Sequence, residues 1–221
     1  MPDIFHGPWL FHRDDLTLLE EDFDALFESH ELTQSKREKD MEESVLKEHL
    51  QTEERSESQL AERLGPEWII EAFADELDDS EQEETSHSHL HVEHAQIDPL
   101  YAEVIRWTKA TVRWGRRQYF KKGNRSEDVY RILVNAHLVP MKISFALSEE
   151  HDAEKLSREI AAKEYELAAI YLERTLGSLR SLALRLEFGE ELLQAIRRAQ
   201  IIQREIHVRR KGLQEPPAFG L

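Results

Sequence analysis

Cysteine is absent from all 221 residues. That excludes a disulfide framework, a thiolate zinc site and a cysteine nucleophile, and it fits a reducing compartment. Glycine (8) and proline (7) are scarce, which argues against a loop-rich or all-β chain. Long apolar runs are missing too. The longest uncharged stretch within a helical segment is ILVNAHLVPM, Ile132 to Met141, far short of the roughly 20 apolar residues that span a bilayer. The first residues, MPDIFHGPWLFHRDD, lack both the basic start and the apolar core of a signal peptide. The expectation is a soluble, cytoplasmic protein without membrane contact. There is no glycine-rich phosphate loop and no Gly-x-Ser-x-Gly elbow; ERTLGSLRS has a single glycine.

What the chain does have is charge, unevenly placed. The formal net charge is −16, with 33% charged and 40% hydrophobic residues, enough for a core over part of the length. Residues 1–96 carry 7 Lys/Arg and 28 Asp/Glu, a net of −21, whereas residues 97–221 carry 22 and 17, a net of +5. A split this large divides the chain into two parts of different character.

The second part reads as four helices. The first has Asp98 as N-cap, Pro99 at its first position and Gly123 as its stop. At 100° per residue one arc gathers Leu100, Tyr101, Val104, Ile105, Trp107, Thr108, Thr111, Val112, Trp114, Gly115 and Tyr119; the other gathers Arg106, Lys109, Arg113, Arg116, Arg117 and Lys121. The second starts at Ser126, with Glu127 and Asp128 favouring the positive end of the dipole. It is apolar nearly all round, with Arg131, Asn135, Lys142 and Glu149 as a narrow polar strip. Arg131 and Asn135 are expected to form its solvated edge, and Pro140 to bend it. The third starts at Asp152 and stops near Gly189, with Gly177 as a point of weakness. The fourth buries Leu192, Leu193, Ile196, Ala199, Ile202, Gln203 and Ile206, ends at Gly212, and sets Arg209, Arg210 and Lys211 against its negative end. Short connections make successive helices antiparallel. The fold expected is all-α: an up-down-up-down four-helix bundle over 97–212, an irregular tail at 213–221, and ahead of them an acidic, partly disordered helical arm.

That arm, 1–96, holds two short amphipathic helices, about 14–29 and 66–78. Leu16, Leu19, Phe23, Leu26 and Phe27 share one face of the first; Trp68, Ile69, Ala72, Phe73 and Leu77 share one face of the second. Between them Glu31–Leu64 is mostly charged, helical at best through side-chain pairs and unable to bury much.

Four constellations invite chemistry. His87, His89, His91 and His94 fall within eight positions, and three imidazoles with Glu93 could bind Zn²⁺, Ni²⁺ or Cu²⁺. The competing reading is a polar linker with incidental histidines, so no resident cofactor is expected. A di-iron bundle would need Glu-x-x-His pairs; the four helices have none, and Glu103 and Glu164 are scattered acids. Tyr130, His137 and Ser144 recur every seven residues on the second helix, and Arg131 with His137 has an Arg-x5-His spacing that resembles that of HEPN ribonucleases, themselves helical bundles. On an ideal helix those two point about 120° apart, so a buried histidine satisfied by a tyrosine or a backbone group is preferred. Last, the stripe Arg106, Lys109, Arg113, Arg116, Arg117, Lys121 could hold nucleic-acid phosphates, although the protein's overall acidity repels polyanions.

The function expected from these residues is a non-enzymatic protein–protein interaction or adaptor protein. Its acidic arm would dock amphipathic helices, through Leu19, Phe23, Phe27 and Trp68, Ile69, Phe73, into a protein partner or its own bundle. The alternatives are a HEPN-like ribonuclease at Arg131 and His137, a metal-dependent activity at the histidines, and nucleic-acid binding on the stripe. A second copy of the chain, in a homo-oligomer, is a further partner the sequence allows.

Overall fold

A computed structural model describes residues 36–64, 98–121, 124–150, 155–185 and 189–214. The two expected arm helices, the histidine cluster, Asp152, Gly123 and most of the tail lie outside them. Every regular element among the described residues is a helix: α1 Lys36–Leu64, α2 Pro99–Tyr119, α3 Glu127–Glu149, α4 Lys155–Arg185 and α5 Glu190–Gln214. None is long and apolar enough to cross a membrane.

Helices α2 to α5 form a four-membered ring, each packed on its chain neighbour, with α5 closing back on α2. Residue pairings give the directions. Thr108 meets Ala136 and Tyr119 meets Tyr130 between α2 and α3. Asp128 meets Ser181, and Lys142 meets Glu164, between α3 and α4. Arg158 meets Leu213, and Glu166 meets Arg210, between α4 and α5. Arg209 meets Asp98, and Arg117 meets Glu191, between α5 and α2. Numbers rise on one helix as they fall on the next, so the bundle runs up-down-up-down.

Local sequence explains the starts. Asp98 Oδ1 accepts from the amides of Leu100 and Tyr101 at 2.9 and 3.1 Å, with Pro99 where a missing N–H costs nothing. Ser126 caps α3 by accepting from the Val129 amide. All eleven residues of the expected apolar arc of α2 are buried. Gly115 is there for proximity: a Cβ would sit 2.8 Å from Leu133 Cδ2, so a side chain at 115 would require the buried Leu133 side chain to shift.

Pro140 is accommodated inside α3. It has no N–H to offer the Ala136 carbonyl four residues earlier. The hydroxyl of buried Thr108 on α2 donates to that carbonyl at 3.1 Å, so a neighbouring helix supplies the proton the proline lacks.

Three expectations need correction. Helix α4 runs unbroken through Gly177; glycine costs about 1 kcal/mol against alanine, and buried Leu176, Ser178 and Leu179 on either side hold the turn in place. Helix α5 passes through Gly212 to Gln214. Leu193 is 42% exposed rather than buried. The buried face of α5 is narrower than the sequence pattern suggests: Leu192, Ala199, Ile202 and Ile206 span about 80°, and Leu193 lies about 100° beyond Leu192.

One end of the bundle is held by Arg209. Its guanidinium reaches Asp98 Oδ2 at 2.6 Å, Glu150 Oε1 at 2.9 Å and the Tyr165 hydroxyl at 3.4 Å. Those groups sit at the start of α2, the end of α3 and within α4, so one side chain joins four helices. Burial opposes its charge, but Tyr165, Asp98 and Glu150 outweigh it and raise its pKa further.

The charged stretch of the arm is helical and buries little, as expected; its seat on the bundle was not expected. Residues 36–64 are one continuous helix, and it lies on the bundle. It runs parallel to α3, with Glu48 on Arg131 and Glu53 on Lys142, and antiparallel to α4, with Glu48 on Arg174, Gln59 on Lys163 and Arg63 on Glu159. Val45 is its one buried apolar residue, helped by half-buried Met41 and Leu46. Polar contacts thus dominate the seam. The α3 strip read as a solvated edge is the surface that α1 covers: Arg131 sits between Glu48 and Glu127, and Asn135 is only 2% exposed, donating to the Arg131 carbonyl at 2.8 Å.

The seam has a titratable centre in His49. Its Nδ1 lies 3.0 Å from the Tyr171 hydroxyl, which donates to Glu53. Burial holds the imidazole below its ordinary value of 6.5; Glu53 pulls it up, and Lys142 and Arg174 push it down. A histidine whose folded pKa is depressed stabilises the fold fully above the unfolded value and loses that contribution as pH falls through the folded one. Burial holds Glu164, across Lys142, above its ordinary 4.5, and its contribution has the opposite sign, present at low pH and lost as pH rises. Acidification from pH 7.5 to 5.5 is therefore expected to lower the hydrogen-exchange protection of α1 relative to the bundle. A His49→Gln variant is expected to remove most of that difference, and an unchanged pH response in the variant would contradict the assignment.

Candidate functional site

With α1 seated between α3 and α4, the opposite side of the ring, between α2 and α5, is left uncovered by any described residue. A cleft of about 220 Å³ lies there. Helical spacing builds it. On α2, Trp107, Thr111 and Trp114 recur every three or four residues, and Arg113 and Arg117 follow the same interval one position to the side. On α5, Glu191, Gln194, Ala195 and Arg198 do likewise. Trp107 and Trp114 are 1% and 6% exposed and form an indole floor. Ala110 and Ala195, too short to fill the groove, leave the depression between them. Trp107 Nε1 donates to the Ala195 carbonyl at 3.0 Å, fixing the indole against α5. Thr111 brings in a buried hydroxyl that has no hydrogen-bond partner among the described residues.

The rim is cationic: Arg113, Arg117 and Arg198 against Glu191. Arg117 and Glu191 pair at 2.8 Å with both side chains more than half exposed, and such a pair is worth about 0–1 kcal/mol and is readily exchanged. Glu103 is shared between Arg106 at 2.9 Å and Arg198 at 3.9 Å. Helix α2 has one acid against five bases, and α5 three against six. Helices α2 and α5 thus carry most of the bundle's positive excess, and three of their arginines, Arg113, Arg117 and Arg198, stand at the cleft.

Of the six stripe residues, Arg106, Lys109, Arg113, Arg117 and Lys121 are exposed and Arg116 is half-buried; Arg113 and Arg117 turn into the cleft. Arg198, which completes the rim, was not legible in the pattern of either helix alone, and the two tryptophans read only as core.

Arg131 and His137 occupy different environments. Arg131 lies under α1 in its carboxylate pairs, whereas His137 is fully buried with Nδ1 2.6 Å from the Leu133 carbonyl. Ser144 donates to the Met141 carbonyl at 2.8 Å, and Tyr130 packs on Tyr119, its pKa raised by burial and Glu42. The heptad of polar groups on α3 is thus occupied with internal contacts. The docking residues Leu19, Phe23, Phe27, Trp68, Ile69 and Phe73 and the histidines His87, His89, His91 and His94 lie outside the described residues. Among the described residues no group of three or more His, Cys, Asp or Glu side chains could hold a metal.

No family model, no curated protein and no solved structure matches this chain.

Proposed function

We propose that the protein is a non-enzymatic interaction platform whose α2/α5 cleft receives the apolar face of an acidic amphipathic helix, most directly one from a protein partner. The observation that carries this reading is the pairing of an indole floor with an arginine rim on the uncovered side of the bundle. Aromatic side chains and arginine dominate the energetics of protein interfaces, and an amphipathic helix laid into a groove satisfies floor and rim together. Charge speeds the encounter and apolar contact holds the complex.

The test titrates a labelled acidic amphipathic peptide, residues 66–78, against the full chain by fluorescence anisotropy. Arg113→Glu with Arg117→Glu is expected to weaken binding at least about tenfold, equivalent to about 1.4 kcal/mol, and 0.5 M salt to weaken it as well. A peptide that binds the double variant as well as the native chain excludes the cleft. Tight binding of duplex DNA with none of peptide would favour the phosphate reading of the same arginines and overturn this one.

A further inference from the structure

Resting on that reading, we infer that the cleft has an occupant within its own chain: residues 14–28, which lie down in it and restrain access by partners. Position, reach, charge and pattern all favour this segment.

Helix α1 begins at the same end of the bundle as the cleft. Glu38 pairs with Arg125 at 3.6 Å just before α3, and Glu42 accepts from the hydroxyl of Tyr119, the last residue of α2. Arg113, Arg117 and Glu191 lie in that same half of the molecule. Residues 29–35, between the segment and α1, span at most about 25 Å when extended, enough to pass around the end of α2. As a helix, residues 14–28 measure about 22 Å, against about 15 Å from Trp107 to Arg117 along α2. The other acidic stretch, 65–97, leaves from and returns to the far end, where Arg63 meets Glu159 and Asp98 meets Arg209.

The charges match. Residues 14–28, DDLTLLEEDFDALFE, hold seven acids and no base. Helix α1 already engages Arg125, Arg131, Lys142 and Arg174 of the α3/α4 side, so the remaining concentration of cations is on α2 and α5. Leu16, Leu19, Phe23, Leu26 and Phe27 give the segment an apolar face to set against the indoles. A tether this short supplies an effective concentration in the millimolar range, so even weak docking would fill the cleft.

The absence of cysteine makes the test clean. Ala25→Cys with Gln194→Cys, in the full chain, is treated with a short bis-maleimide. The expected result is an intramolecular cross-link whose yield is independent of protein concentration and falls at least fivefold with Arg113→Glu and Arg117→Glu. Pairing Ala25→Cys with Leu184→Cys, on α4, should give little product. An equal yield from this control, or dimers alone, would overturn occupation in cis by residues 14–28. In parallel, Phe23→Ala with Phe27→Ala is expected to tighten binding of a free 14–28 peptide about tenfold by removing the internal competitor. Peptide binding to the cleft without the cross-link defeats the internal occupant and leaves the platform standing. No binding of peptide to any of these chains defeats both.

Discussion

Replacing Arg209 by methionine is expected to destabilise the bundle by about 3 kcal/mol, the cost of breaking a largely buried ion pair by removing one partner. Asp98 is 7% exposed and the Glu150 side chain 15%. Without the guanidinium they face each other across the end of the bundle with no cation between them. At about 2–4 °C per kcal/mol for a chain of this size, the melting temperature should fall by roughly 6–12 °C. The loss belongs to the stranded carboxylates more than to the missing arginine. Adding Asp98→Asn and Glu150→Gln should therefore restore more than half of it, because asparagine still caps α2 and glutamine still accepts from Tyr165. Denaturant titration of the single and triple variants decides the point. A single variant that loses less than about 1 kcal/mol, the level of an exposed pair, would show that the four helices do not depend on this contact.

Trp107→Ala is expected to cost about 3–5 kcal/mol, the range for deleting a buried aromatic from a packed core. The side chain is 1% exposed, and its Nε1 closes a bond to the Ala195 carbonyl of α5. Trp107→Phe separates the two contributions. It keeps most of the volume and gives up the hydrogen bond, so about 1–2 kcal/mol should go. The same pair of variants reports on the cleft. Phenylalanine should preserve peptide binding within a few-fold, because the apolar floor remains. Alanine, measured at a temperature where the chain is still folded, should weaken it strongly. Stability lost with binding retained would assign Trp107 to the core alone.

Legibility followed the range of the forces involved. The caps at Asp98 and Ser126, Pro99 at the first turn and the buried arc of α2 are set by residues within one or two turns of each other, and the sequence states them directly. Short connections then impose the antiparallel order. What escaped depends on pairs between elements. Glu48 next to Arg131 and Arg174 gives a charged helix a place on the bundle, yet nothing in the composition of 36–64 announces that address. Asn135 read as solvated because nothing in α3 indicates that α1 covers it. Leu193 read as buried because hydrophobicity marks a wide arc and packing uses only part of it. The cleft is the extreme case: two tryptophans, two alanines and three arginines acquire meaning only once α2 and α5 are aligned.

The contact between Thr108 and the carbonyl of Ala136 has a consequence for how the helices find their alignment. Along α3 almost every carbonyl in the helix body already has an amide, so a hydroxyl arriving from α2 gains little by stopping at most of them. The one left open by Pro140 is different. If α2 slid by a turn, the hydroxyl would land on an occupied oxygen and the vacant one would be stranded in apolar surroundings. A proline thus acts as a notch and a threonine as its key, and the pair fixes the register of two helices whose greasy faces would otherwise tolerate several.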